Sequence, residues 1–110
     1  MLADHQLVQR LAFEAELAVR SARSLTAQAA QLVAAGERAS VEVGMAKVAA
    51  ARALDVAANS AVQAYGAEGL TAATGLPRLL RWARAARIMD GAEELLVATT
   101  GRRLLRGYAA

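Results

Sequence analysis

The sequence predicts an all-α protein, and three observations carry that prediction. Alanine, the strongest helix former, supplies 30 of the 110 residues. Aromatic residues make up only 4% of the chain, and β-branched residues, which strands also favour, are scarce. Apolar residues recur at helical spacing over long stretches, and the only proline is Pro77. With 56% hydrophobic residues the chain reads as packed rather than disordered, and its length suits one domain.

The first helix is expected over residues 4–35. Val8, Leu11, Ala15, Ala18, Ala22, Leu25, Ala29 and Leu32 form one unbroken apolar stripe, while Arg10, Glu14, Glu16, Arg20 and Arg23 lie off it. Gly36 suits a left-handed C-cap. His5, the only histidine, reads as a polar residue at the helix start, so a histidine-based metal site or triad within the chain is not expected.

A second helix is expected over 40–65, stopped by Gly66. Its apolar residues nearly encircle it, leaving a narrow polar line through Asp55, Asn59 and Gln63. Such a helix is buried between several neighbours or under another subunit. Three glycines within residues 66–75 break the chain. Pro77 then fits the first turn of a third helix over 77–89, and Asp90-Gly91 punctuates before a fourth helix over 92–106. Glu93 and Glu94 at its start and Arg102, Arg103 and Arg106 at its end suit the helix dipole. The expected architecture is a four-helix, up-and-down, largely antiparallel bundle in a single domain, residues 1–110.

Composition also excludes. Without cysteine there can be no disulfide or thiolate metal site, which suits a reducing cytoplasm. Asp4 and Glu14 stand where a signal peptide would need a basic start and an apolar run. No stretch reaches the roughly 18 uncharged apolar residues of a membrane span. The net charge of +3 is uneven: residues 76–110 carry 7 basic and 3 acidic groups. Arg78, Arg81, Arg84 and Arg87 form a broad basic face with no aromatic platform and no DNA-binding motif. Nucleic acid is therefore not the expected partner; a solvated face, a subunit contact or contact with cofactor phosphates remain open.

Four short motifs, in order and without gaps, resemble those of the acyl-CoA dehydrogenases. They are Leu2-Ala3-Asp4-His5-Gln6; Met45-Ala46-Lys47; Ala61-Val62-Gln63-Ala64-Tyr65-Gly66-Ala67-Glu68-Gly69; and Pro77-Arg78-Leu79-Leu80-Arg81 running on to Ile88-Met89-Asp90-Gly91. The resemblance covers nearly the whole chain and implies the helical C-terminal domain of that family, without its N-terminal and β-barrel domains. The chain would then be a fragment or split subunit of a homo- or hetero-oligomeric FAD enzyme that acts on acyl-CoA.

In such enzymes a carboxylate removes the α-proton of the thioester while the β-hydrogen leaves as hydride to the flavin. The resemblance assigns that base to Asp90, one methylene shorter than the family's glutamate. From the residues alone Asp90 could equally cap the fourth helix. The resemblance further implies that Gln63, Ala64, Tyr65, Gly66 and Ala67 meet the FAD pyrophosphate of a neighbouring subunit. Ala92 and Glu94 stand at positions that contact its adenine half. Ala67 for glycine, Ala92 for threonine, Glu94 for glutamine, Val97 for arginine and Trp82 for aspartate depart from the family pattern. Two alternatives follow: a non-catalytic helical assembly module, or a flavin oxidase similar to the nitroalkane oxidases, which use aspartate as base.

Overall fold

The computed structural model describes residues 1–109. Its helices are α1 (Gln6–Ala34), α2 (Ser40–Tyr65), α3 (Leu76–Ala86) and α4 (Glu93–Ala109). Short 3₁₀ turns occupy Leu2–Asp4, Gly66–Leu70 and Ala72–Thr74. The all-α expectation holds, and α2 has the bounds read from the sequence. The other ends shift. Residues 2–4 form a separate turn before α1, α3 stops at Ala86 rather than 89, and α4 begins at Glu93 and runs on to Ala109.

The stripe on α1 does what its periodicity requires. All eight of its residues are buried or half-buried, while the intervening charged residues are exposed. Gly36 ends α1 with φ +79. Its N–H donates to Val33 O and the next N–H, from Glu37, reaches Leu32 O, both at 3.0 Å. Those are the two bonds of a Schellman cap, and the left-handed glycine makes both possible.

α2 is the axis of the domain. α1, α3 and α4 each pack against it, with no close backbone approach among themselves in the described residues. All three run opposite to α2. Lys47 Nζ donates to Ala86 O at 2.6 Å, which places the end of α3 beside the first third of α2. α4 starts against Arg52 and reaches Gly44 at Thr100. The polar line on α2 is real: Asn59 Nδ2 donates to Asp55 O and Oδ1 at 2.8 and 3.0 Å.

The core is made of small side chains. Ala22, Ala29, Ala39, Ala46, Ala51, Ala53, Ala58 and Ala83 are buried, with Leu76 the largest among them. Alanine lets helix backbones approach closely but removes little area from water per residue. The large apolar side chains instead face outward, among them Phe13, Leu17, Trp82, Leu95, Leu105 and Tyr108. No helix of the described residues is long and apolar enough to cross a membrane.

Candidate functional site

The candidate residues lie in two places, at opposite ends of α2. Asp90 shares a cleft with Lys47, with Ala92 and Glu94 following at the start of α4, whereas Gln63 to Ala67 close the far end. Eighteen residues of helix separate Lys47 from Tyr65, about 27 Å. The candidate residues therefore form two separate groups rather than one enclosed pocket.

At the first, the end of α3 is tied off when the Ile88 and Met89 N–H groups both donate to Ala85 O at 2.9 Å. Asp90 then takes a left-handed conformation, φ 54, and Gly91 follows at φ 97. Aspartate is among the few non-glycine residues that tolerate this region, so the Asp-Gly pair suits the turn. Asp90 does not cap α4. It lies three residues ahead of Glu93, and no hydrogen bond to its carboxylate is present among the described residues. The side chain is exposed and borders a cleft of about 270 Å³ that Ser40, Gly44, Lys47, Thr100 and Arg103 also line.

Across the α2–α4 crossing lies a wider apolar groove of about 460 Å³, lined by Leu25, Met45, Val48, Leu96 and Leu104 among others. The crossing itself is tight. A Cβ on Gly44 would overlap Thr100 Oγ1, which is buried and has no hydrogen-bond partner. A Cα–H···O contact is the interaction such a packed hydroxyl has left.

Beside the Asp90 turn stands the one buried carboxylate of the described residues, Glu93, 7% exposed. Arg52 Nε donates to its Oε1 at 3.0 Å, and Arg52 Nη2 forms an ion pair with the same oxygen at 2.9 Å. Arg87 Nε donates to Oε2 at 3.0 Å. Hydrogen bonding from Arg52 is the largest influence and holds the Glu93 carboxyl below its ordinary range; desolvation opposes it, and Arg87 adds to the lowering. Sequence reasoning placed Glu93 with the dipole-complementing acids and Arg87 on the basic face. Neither pattern carried a signal of the pairing, because Arg52 is exposed and sits on a helix that also carries Glu42, Lys47 and Asp55.

At the far end, Gly66 terminates α2 with φ 60 and ψ −141, and nothing lies within 4 Å of where its Cβ would stand. The space beside its Cα is open, while its own N–H donates to Gln63 O. Gly69 is glycine for a different reason: a Cβ there would meet Val62 O at 2.9 Å and Tyr65 Cβ at 3.0 Å. Gln63, Tyr65, Ala67 and Glu68 are exposed, and Ala64 is half-buried.

The family model described as "Acyl-CoA dehydrogenase, C-terminal domain" matches residues 1–105. The chain belongs to that family. It is 38% identical over 84 residues, 76% of its length, to the (2S)-methylsuccinyl-CoA dehydrogenase of Cereibacter sphaeroides. Its fold matches the FAD complex of PigA with a TM-score of 0.89 over 93% of this chain, at 20% identity. The chain spans only 15% of the length of that dehydrogenase and 27% of the PigA chain.

Proposed function

We propose that this chain is the C-terminal part of an FAD-dependent acyl-CoA dehydrogenase, in which it completes the flavin site and supplies Asp90 as the α-proton base. The observation that carries the reading is the Asp90 turn. Within a family-matched chain, the one non-glycine residue with positive φ among the described residues is a carboxylate raised at the lip of a cleft, with no partner among those residues. Such a group is free to take a proton from a substrate brought against it. The open Gly66 backbone and the exposed Gln63 side chain would hold the cofactor's phosphates and neighbouring polar groups, because glycine lets N–H groups approach closely. Bound FAD supplies the hydride acceptor; this chain's part is to bind and orient it and to take the α-proton at Asp90. Acyl-CoA is the proposed substrate class, in an oligomeric, cytoplasmic enzyme.

One observation favours a second reading, a non-catalytic assembly module. Glu68 places an exposed negative charge beside the turn that would meet phosphate. The deciding measurement is the visible absorbance of the chain purified alone and after coexpression with the N-terminal and barrel portions. Flavin retained only in the coexpressed assembly, with Asp90→Asn lowering turnover at least about 10²-fold, is the expected result. An assembly without flavin, or full turnover by Asp90→Asn, would refute the proposal.

A further inference from the structure

Glu93 is the most enclosed charge in the domain, and the proposed reaction does not use it. With its two partners it joins three elements: Arg52 from the middle of α2, Arg87 from the end of α3, and Glu93 itself at the first residue of α4. The segment between Arg87 and Glu93 is thereby closed twice at its base. The Glu93 N–H donates to Arg87 O at 2.9 Å, and the Arg87 guanidinium returns to the Glu93 carboxylate at 3.0 Å. Arg52 then ties this closed loop to α2. Asp90 stands at its apex.

The geometry points to a positioning role: the Arg52–Glu93–Arg87 triad locks the Asp90 turn onto α2 and so fixes where the base is presented. This rests on the reading of Asp90 as the base. Two arguments favour it over a purely stabilising role. An ion pair whose arginines are 60% and 39% exposed stabilises a fold little, because solvent screens the attraction while the burial of Glu93 costs desolvation. And a base on a short aspartate arm depends on its backbone: misplacement by about 1 Å costs on the order of 10²-fold in rate. Asp90 has no side-chain partner to steady it, so the order of the turn comes from its base.

The test is amide hydrogen exchange on the full chain, unmodified and as Glu93→Gln and Arg87→Lys. Glu93→Gln keeps the shape but loses the charge. It should speed exchange of the amides of Met89 and residue 93 about tenfold, while protected amides along α1 and α2 stay unchanged. Arg87→Lys, which keeps the cation but loses the planar fork, should fall between. Equal acceleration throughout the domain, or none at the turn, would overturn the proposal. In the flavin-loaded assembly Glu93→Gln should lower kcat with KM held, a split that general destabilisation does not produce; an unchanged kcat would also overturn it. If Asp90→Asn kept full turnover while the exchange result held, the base assignment would fail and the locked turn would stand.

Discussion

Gly44 is the residue whose replacement the structure prices most directly. It lies inside α2, where alanine would ordinarily stabilise a helix by about 1 kcal/mol. Here the added methyl would land on Thr100 Oγ1 of α4, and the Thr100 Cβ and Cγ2 atoms stand 3.5 and 3.7 Å from the same point. Both partners are buried on rigid helices, so α4 must move or Thr100 must leave its rotamer. Overpacking of this kind costs about 1–3 kcal/mol. Set against the propensity gain, Gly44→Ala should destabilise by about 1 kcal/mol, a fall of roughly 5 °C in Tm for a domain of this size. Thr100→Ala removes Oγ1 and Cγ2 and leaves only the atom at 3.5 Å, an ordinary contact. Alone it should be near neutral, since a packed methyl and an orphaned hydroxyl go together. Combined, the two substitutions should melt at or above the unmodified chain, a coupling of at least about 1 kcal/mol. Thermal unfolding by circular dichroism at matched concentration reads all four proteins. If Gly44→Ala melts at or above the unmodified chain, or if the two effects simply add, the close α2–α4 crossing is wrong.

Glu93 gives a pH dependence of known sign. Its folded-state pKa is depressed, so its contribution is fully present above the unfolded value of about 4.3 and drains away as pH falls from there through the lower folded value. Because Arg52 and Arg87 are 60% and 39% exposed, solvent screens the pair and the effect is modest. Urea midpoints should fall more steeply with acid in the unmodified chain than in Glu93→Gln, and identical slopes would refute this. The outward apolar side chains predict a concentration-dependent mass by light scattering for the chain on its own, whereas a monomer at every concentration would show that those faces need no cover.

Much of the fold was legible because periodicity is a local property. The stripe from Val8 to Leu32 reports its buried face without reference to a partner, and Gly36 stops α1 for the same local reason. α3 ended early because Ile88 and Met89 continued the apolar pattern while the Ile88 N–H tightened to an i→i−3 bond on Ala85 O and Asp90 turned left-handed. Of the candidate site, only the turns were legible, because a turn imposes a residue type, as at Asp90-Gly91 and Gly66. Asp90 as a helix cap was the natural reading of Asp-Gly before a helix; its left-handed φ shows that the pair builds the turn instead. The ion triad was hidden because its members are 35 and 6 residues apart along the chain, Arg52 to Arg87 and Arg87 to Glu93, and only tertiary packing brings them together. Gly44 showed nothing either, since a helix-interior glycine is explained only by the helix that crosses it.

The alanine core has a consequence for how the two groups of candidate residues relate. Closely packed small side chains leave little free volume for helices to slide, so α2 behaves as a rigid rod along its 26 residues. Everything the proposed function requires is attached to its ends: the Gly66 turn at one, the Asp90 turn clamped through Arg52 towards the other. A helix of that length holds the two turns at a fixed separation whatever covers the outer faces. The large apolar side chains on the outer faces stand clear of that spacing. On this argument, substitutions on the outer face, such as Leu105→Ser, should change assembly before they change the Asp90 turn, whereas substitutions at the α2 interface should disturb both together.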